Sequence, residues 1–449
     1  MNAPTKISDA SPWHLQGNWA PVLDEIDAGP LAVWGEIPRE LRGDYLRAGM
    51  NPRSGCSDHW FAGNGMLHGV RLEDGQAHYR NRFVRTPYFE ADMNLMSGMH
   101  DPAASPANTN IVHHAGRLLA LEEGHLPWAV DRDLNTLGVH DFAGRLRGAM
   151  TAHPRVCPET GELLFFGYQL ARAPYLTYYR ADAAGELVEA EPIDLPNPVM
   201  MHDWNITRNH VVFMDLPVVF DLKAAMRGEP PLAFRRDAGA RLGVMKRDGA
   251  GGRVRWFEIN PCYVFHPVNA HEDGDKIILH VCRQEAAMVG GFENVYGGDS
   301  TTGRLWRWTL DLADGTVKEE QLDDAAADFP RINDSRVGLS ARWGYTASLN
   351  AKAPTLTLGQ YLYKYDLTTG ARTTRDFGSA SRLGEPIFVA REGAAAEDDG
   401  WILSLVHDEA TDVSKLMILN AQDFDGAPAA EITMPRRVPY GAHGNWMSR

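Results

Sequence analysis

Residues 305–322, LWRWTLDLADGTVKEEQL, consist of two runs of alternating character joined by the short polar segment DLADG. The first run, LWRWTL, is rich in bulky and aromatic side chains, which favour β-strands. In the segment between the runs, Gly315 can adopt the positive φ that tight hairpins need, and an aspartate can accept hydrogen bonds from nearby backbone N–H groups. The stretch therefore predicts a β-hairpin.

The same strand–turn–strand pattern recurs along the chain. Six further copies begin at His68, Trp128, Leu176, Gly243, Tyr361 and Leu416. The turn glycines of the seven copies are Gly75, Gly138, Gly185, Gly249, Gly315, Gly370 and Gly426, at intervals of about 47 to 66 residues. This period suits four-stranded blades, with two strands in each quoted hairpin and two before it. We predict an all-β fold, a seven-bladed β-propeller; a stacked β-solenoid is the alternative, but its coils are shorter.

The chain shows no linker that would divide this array, so we predict a single domain over residues 1–449. Residues 215–234, DLPVVFDLKAAMRGEPPLAF, are too long for a hairpin loop. We interpret this segment and others like it as insertions, whose loops and short helices cap one face of the propeller.

Composition limits the class of protein. The net charge of −15 argues against a nucleic-acid surface, which needs basic stripes. The four cysteines, Cys56, Cys157, Cys262 and Cys282, are far apart and predict reduced thiols rather than a disulfide framework or zinc site. No secretory signal and no run of about 20 apolar residues is visible, so we expect a cytoplasmic protein.

Four histidines occupy the same position relative to the preceding turn glycine. His153 lies 15 residues after Gly138, and His202, His266 and His443 each lie 17 residues after theirs. Each therefore falls where one blade ends and the innermost strand of the next begins, beside the propeller axis. The pattern predicts a metal site of four imidazoles, with coincidence as the alternative. An all-nitrogen site without thiolates suits zinc, copper, nickel or iron.

Neutral imidazoles leave a metal's charge uncompensated, so carboxylates are expected behind the rings, accepting hydrogen bonds from their second N–H groups. Glu385 and Asp328 are candidates, because they lie 15 and 13 residues after Gly370 and Gly315. Solvated acids at strand ends are the alternative interpretation of these two residues.

The residues also resemble a known family, the carotenoid cleavage oxygenases, over nearly the whole chain. The resemblance is carried, in order, by HWFAGNGM, ANTNIV, LLALEEGHLP, AHPRVCPETGELLFFGY, MHDWNIT, FHPVNAHED, DFPRIN, GEPIFV and GAHGNW. It implies a seven-bladed propeller with iron(II) on its axis. Motif by motif, it implies four iron ligands, His153, His202, His266 and His443. It further implies outer-sphere carboxylates at Glu123, Asp328 and Glu385, and places Thr109 beside a vacant coordination position.

Two departures from the family pattern bear on the site. Asp328 replaces the usual glutamate and is one methylene shorter, so we expect its hydrogen bond to an imidazole to be longer or bridged by water. In family members that cleave stilbenes or phenylpropenes, a Lys and a Tyr grip a phenolic hydroxyl. The corresponding residues here are Glu122 and, more loosely, His100. Because a glutamate repels a phenolate, these replacements disfavour a hydroxystilbene substrate.

The resemblance implies an iron(II) dioxygenase that cleaves a conjugated C=C bond of a carotenoid or apocarotenoid with O₂, giving two carbonyl products. Cleavage of an aryl alkene by the same chemistry is the alternative. A propeller that only binds and a retinoid isomerase are weaker alternatives. An apolar substrate partitions into membranes, so we also consider a weak peripheral membrane contact through Leu216, Val218, Val219, Phe220, Leu222, Ala224, Ala225 and Met226, with Lys223 and Arg227 meeting headgroups. The alternative is that this segment only packs over the face of the propeller.

Overall fold

A computed structural model describes residues 12–98, 100–227, 229–249, 253–289, 298–353 and 355–449. Seven antiparallel sheets of four or more strands follow one another along the chain and form the blades of a β-propeller. The predicted seven-bladed, all-β architecture is therefore confirmed. A separate two-stranded ribbon is inserted in the fourth blade.

We number the blades 1 to 7 along the chain and give their strands from the innermost outward. Blade 1 comprises Gly444–Ser448, Gly43–Met50, Gly65–Glu73, Gln76–Phe83 and Asp27–Ala28; blade 2 comprises Asn110–His114, Arg117–Leu121, Trp128–Val130 and Thr136–Val139. Blade 3 comprises Arg155–Val156, Leu163–Tyr168, Leu176–Ala181 and Leu187–Ile193; blade 4 comprises Asn205–Ile206, His210–Asp215, Ala240–Lys246 and Arg255–Ile259. Blade 5 comprises Tyr263–Asp273, Lys276–Gln284, Arg304–Asp311 and Val317–Gln321; blade 6 comprises Ala327–Arg331, Trp343–Leu349, Leu358–Asp366 and Arg372–Asp376. In blade 7, Ser381–Leu383 and Ile387–Ala390 both pair with Gly400–Asp408, followed by Val413–Asn420, Ala430–Thr433 and Val33–Gly35.

All seven predicted hairpins join the third and fourth strands of a blade, as expected. In blade 5, Gly315 has a φ of 84°, and the Asp311 carboxylate accepts the Ala313 N–H at 2.9 Å. One turn glycine was assigned wrongly. Gly138 lies inside the strand Thr136–Val139, and the positive φ of that turn belongs to Leu134, because Asp131 holds the turn through the N–H groups of neighbouring residues.

Gly426 lies in the turn between Val413–Asn420 and Ala430–Thr433, as predicted, but it does not have the expected positive φ. Instead, the N–H of Gly426 donates to the Asp423 carbonyl at 3.1 Å, so that turn closes through a backbone hydrogen bond.

Most of the apolar core lies between neighbouring blades, where the sheets pack face to face. In the strand Arg304–Asp311, for example, Leu305 packs in a cluster with blade 6, whereas Trp308 and Leu310 face a cluster that includes blade 4. Burial of each such side chain contributes about 1.5–3 kcal/mol. Alternate side chains thus hold each blade to both of its neighbours.

The ring closes in blade 1, where the two ends of the chain meet. The C-terminal strand Gly444–Ser448 pairs antiparallel with Gly43–Met50, with Gly444 opposite Arg47. Closure removes the exposed sheet edge that an open array would present. It also holds His443 in an ordered strand end.

The segment at residues 215–234 is an insertion between the second and third strands of blade 4, as predicted. It contains the paired strands Val218–Phe220 and Leu232–Phe234 and the helix Leu222–Met226. The other α-helices in the described residues are Pro87–Glu90 and Leu95–Gly98, and the 3₁₀ helices are Trp13–Leu15, Gly17–Trp19, Trp60–Ala62, Arg236–Ala238, Asp299–Thr301 and Asp334–Arg336. Two of the three α-helices lie between blades 1 and 2, and the third lies between the second and third strands of blade 4. Because the strands of a blade are antiparallel, both kinds of connection lie at the same end of the propeller. No helix among the described residues has the length and apolarity needed to span a bilayer.

Candidate metal centre

The four predicted ligands meet at the starts of innermost strands. His153, His202 and His443 precede the innermost strands of blades 3, 4 and 1, and His266 lies near the start of that of blade 5. The Nε2 atoms of His153 and His202 are 3.0 Å apart, and those of His202 and His266 are 3.3 Å apart. One ring nitrogen from each of the four residues lies within 4.8 Å of all the others.

Three of these imidazoles make direct contacts with carboxylates through Nδ1. The Nδ1 atom of His202 is 2.8 Å from Glu123 Oε2, that of His266 is 2.9 Å from Asp328 Oδ1, and that of His443 is 3.0 Å from Glu385 Oε1. A carboxylate here keeps the proton on Nδ1, so the Nε2 lone pair points inward and is more basic.

The contact made by Asp328 corrects one expectation from the sequence. We expected the shorter side chain to reach His266 at a longer distance or through water, but its distance matches that of the two glutamates. The backbone brings the carboxylate closer, because the register of the strand Ala327–Arg331 shifts after Asp328 and Phe329 takes a φ of 54°.

His153 has a weaker carboxylate neighbour that the sequence analysis did not identify. Asp203 Oδ2 is 3.5 Å from His153 Nδ1, while Asp203 Oδ1 accepts hydrogen bonds from Arg155 Nη2 and the Trp204 N–H, both at 2.6 Å. Burial raises the pKa of Asp203. The signal that could have identified this residue was its position directly after His202 in MHDWN.

Arg331 is a second residue that the sequence analysis did not single out. Its guanidinium donates to the Gly444 carbonyl at 2.7 Å and to Asn445 Oδ1 at 2.9 Å, and lies 3.4 Å from Glu385 Oε2. The N–H of Gly444 also donates to Glu385 Oε2 at 2.9 Å. Burial alone would raise the pKa of Glu385, but Arg331 and His443 hold it below its usual value. Arg331 therefore ties an ionised Glu385 to the strand that follows His443.

The protonation states suit metal binding. Burial, reinforced by the neighbouring imidazoles, holds the pKa values of His153 and His266 well below normal. Burial also lowers the pKa of His202, but the Glu123 carboxylate reverses this effect and raises it above its usual value. A neutral imidazole is the form that binds a metal, so His153 and His266 are ready ligands at neutral pH.

Thr109 lies in the same layer as the histidines. It directly precedes the innermost strand of blade 2, and its carbonyl accepts the His443 N–H at 3.0 Å. Its hydroxyl donates to Asn108 Oδ1 at 2.9 Å, and the side chain is buried. The predicted position beside an open coordination site stays a prediction.

The donor set fits one metal ion. Two nitrogens bound at right angles about 2.1 Å from one ion would lie about 3.0 Å apart, close to the two shortest separations between Nε2 atoms in the cluster. The three negative charges of the carboxylates would balance the two positive charges of a divalent ion and the one of Arg331. The site therefore fits a transition-metal ion that prefers nitrogen ligands.

Two different environments adjoin the cluster. Aromatic side chains pack on the rings: Phe265 lies 5.3 Å from His202, and Phe329 lies 5.2 Å from His266, between ring centroids. A cavity of about 460 Å³ among the innermost strands, which we call the axial cavity, is lined in part by His153, His266 and His443.

Glu122 and His100 stand at the positions of the family's phenol-binding pair. Glu122 Oε2 lies 2.5 Å from His125 Nδ1 and accepts the Gly124 N–H at 3.0 Å. His100 is exposed in a turn. An acidic side chain thus stands where the stilbene-cleaving members carry a lysine.

The chain is similar to known proteins over nearly its whole length. The family model described as "RPE65: Retinal pigment epithelial membrane protein" matches residues 19–448. A carotenoid cleavage oxygenase of Mycobacterium tuberculosis is 37% identical, covering 96% of this chain and 97% of the relative.

Two solved structures are also similar. Pseudomonas brassicacearum lignostilbene dioxygenase has a TM-score of 0.89 and 26% identity, covering 99% of this chain and 100% of that one. A variant of Synechocystis apocarotenoid oxygenase has a TM-score of 0.87 and 28% identity, covering 96% and 98%.

Proposed function

The chain belongs to the RPE65 family of carotenoid cleavage oxygenases, and from this premise we propose that it is a non-haem iron(II) dioxygenase. It cleaves a conjugated C=C bond of a carotenoid or apocarotenoid, and each carbon of the broken bond receives one oxygen atom of O₂ as a carbonyl. We further propose that residues 1–449 act as one domain. The cytoplasmic location stays a prediction.

The observation that carries the proposal is the convergence of four imidazoles with carboxylates behind three of them. His153, His202, His266 and His443 would hold the ion, and Glu123, Asp328 and Glu385 would orient the rings. Bound iron(II) supplies the activation of O₂. Four protein ligands leave room on a six-coordinate ion, and we assign Thr109 to the border of that open side.

The protein's own contribution is position and exclusion of water. Cleavage of the alkene to two carbonyls transfers no proton, so the site needs no general acid or base. The apolar cluster that contains Phe265, Phe329, Trp60 and Tyr440 provides an aromatic surface beside the histidines. We assign substrate binding to this surface, because a conjugated chain is stabilised by burial against apolar side chains.

An aryl alkene is the second candidate substrate, favoured by the similarity to lignostilbene dioxygenase. Glu122 and its contact with His125 weigh against a phenolate at the family's phenol-binding position. We therefore rank carotenoids and apocarotenoids first.

The direct test is to incubate the iron-loaded protein with a panel of carotenoids, apocarotenoids, stilbenes and phenylpropenes under O₂, and to identify the products by mass. We expect aldehydes or ketones from the polyenes, with ¹⁸O from ¹⁸O₂ incorporated before exchange with water. Full activity in zinc-loaded or metal-free protein would contradict the proposal. Products from aryl alkenes alone would move the assignment to the second candidate.

We also propose a weak peripheral membrane contact, now limited to the helix Leu222–Met226. Leu216, Val218 and Val219 are buried and serve the fold, as the alternative of packing over the propeller predicts for them. Leu222 and Met226 are 49% and 81% exposed, next to the exposed side chains of Lys223 and Arg227.

Replacing both Leu222 and Met226 by Ser should slow cleavage of substrate in liposomes and spare detergent-solubilised substrate. Leu137→Ser, at an exposed site in blade 2, is the matched control; equal losses in both assays would refute the contact.

A further inference from the structure

We propose that the axial cavity is the path by which the metal ion reaches and leaves the histidine cluster. The inference rests on the metal site proposed above and adds a role for residues that do not bind the metal. In this proposal the metal ion enters from the side of the axial cavity, and the apolar substrate binds on the opposite side of the histidine cluster.

The axial cavity connects the ligands with solvent. Its lining includes His153, His266 and His443 at one end and Asp334 at the other. The Asp334 side chain is 64% exposed. Asp334 lies in the connection between the first and second strands of blade 6, which is the end of the propeller opposite the α-helices. The cavity therefore opens away from the face covered by the insertions.

The lining mixes apolar and polar side chains, and its charged residues carry a small excess of negative charge. Its carboxylates are Asp203, Asp334 and Glu385, and its guanidiniums are Arg155 and Arg331. Four asparagine side chains add amide oxygens: Asn110, Asn205, Asn269 and Asn445. His113, which also lines the cavity, has a pKa lowered by burial and stays neutral. Carboxylate and amide oxygens in a lining with net negative charge attract and partly solvate a divalent cation.

The axial cavity is large enough for a hydrated ion. Its volume of about 460 Å³ would hold several water molecules, each of which occupies about 30 Å³ in the liquid. An ion moving through this space would therefore keep much of its hydration.

The other side of the cluster is unsuited to a hydrated ion. Phe265 and Phe329 lie against the imidazoles and belong to a large buried apolar cluster that also includes Trp60, Tyr263 and Tyr440. A divalent cation crossing such a layer would lose most of its hydration with no ligand in return, which is strongly unfavourable. The same layer is favourable for a polyene.

A residue that lines the path of the ion and a residue that positions a metal ligand affect metal binding in different ways. A residue that only narrows the path changes the rates of metal uptake and release by the same factor and leaves the equilibrium affinity unchanged. A residue that holds a ligand in place changes the affinity. Measuring both rates and the affinity therefore separates the proposed path from a disturbed site.

The experiment uses the full-length protein stripped of metal, with Co²⁺ as the probe and its absorption as the signal. Val156→Trp adds bulk at a residue that lines the cavity and is 37% exposed, and Asp334→Lys reverses the charge at its mouth. Val188→Trp and Glu186→Lys make the same changes at exposed sites in the outer hairpin of blade 3. Uptake is followed by rapid mixing, release by excess chelator, and affinity by competition.

We expect Val156→Trp and Asp334→Lys each to slow uptake by about tenfold, and the two controls to match wild type. Asp334 lies 3.5 Å from the Arg331 guanidinium, so the requirement of equally slowed release and unchanged affinity applies to Val156→Trp. Added salt should reduce the effect of Asp334→Lys and spare that of Val156→Trp. Wild-type rates in both variants, or a fall in the affinity of Val156→Trp without matched rate changes, would overturn the path. Failure of wild-type protein to bind Co²⁺ would instead contradict the proposed metal site.

Discussion

Three of the four clustered histidines have a close carboxylate contact through Nδ1, which we call support, and the fourth does not. His202, His266 and His443 have carboxylate oxygens 2.8–3.0 Å from Nδ1, whereas the nearest carboxylate oxygen to His153 Nδ1 is 3.5 Å away, on Asp203. Asp203 directs its other oxygen to Arg155, and His153 is held instead through its carbonyl, which accepts the Trp204 indole N–H at 2.9 Å.

This difference follows from charge balance. Glu123, Asp328 and Glu385 together compensate a divalent ion and the Arg331 guanidinium. A fourth carboxylate in full contact with an imidazole would leave uncompensated negative charge in a buried site, which is unfavourable. Asp203 avoids this by pairing with Arg155. The three supported histidines should therefore dominate metal affinity, and His153 should be the most tolerant position.

The largest effect is expected from removing a supported ligand. His202→Ala should lower metal content and activity together, by more than about a hundredfold in metal affinity, since even outer contacts contribute about 10–100-fold. His153→Ala should retain more metal than His202→Ala. Metal content by elemental analysis, with the exposed His78→Ala as control, checks both variants. Equal losses of metal from His202→Ala and His153→Ala would contradict the expected difference between the two histidines.

The next effect concerns the carboxylates themselves. Glu385→Gln should lower metal affinity by about 10–100-fold without unfolding the protein. The loss should exceed that of Glu123→Gln, because Arg331 then loses its buried carboxylate partner and keeps only the exposed Asp334. Competition titrations with Co²⁺ measure the affinity, and circular dichroism monitors the fold. Wild-type metal affinity in Glu385→Gln would show that this carboxylate does not contribute to metal binding.

A smaller effect tests the fit of Asp328. This side chain is fully buried and already contacts both His266 Nδ1 and the Phe329 N–H. Asp328→Glu adds a methylene to a filled space, so we expect a loss of about 1–3 kcal/mol in the free energy of unfolding. Urea denaturation of the metal-free protein measures it. Unchanged or increased stability would show that the site has room for the glutamate that the family usually carries.

The smallest effect is expected at His153's neighbour. Asp203→Asn keeps the size of the side chain and removes its charge, and should lower metal affinity by less than about tenfold, the low end for outer contacts. The same titration measures it beside Glu123→Gln. A loss larger than that of Glu123→Gln would mean that the distant carboxylate supports His153 as strongly as the close ones support their rings.

The sequence predicted much of the layer around the axis because a propeller repeats its geometry. Once hairpins mark the outer strands, equal spacing places Asp328, Glu385 and the four histidines at equivalent starts of innermost strands, which the structure reproduces. The one misplaced turn glycine, Gly138, lies a few residues past its turn, and this error did not change the predicted number of blades.

Other parts of the site depended on the three-dimensional structure. Glu123 follows the second strand of blade 2, outside the common phase, so only the family resemblance pointed to it. Its contact with His202 joins residues 79 positions apart. The direct bond from Asp328, the bridging role of Arg331 and the pairing of Asp203 with Arg155 depend on backbone shifts and on side-chain directions between blades. Local spacing constrains which residues reach the axis, whereas the distances and charge pairs that tune them arise only when the ring closes and distant blades meet.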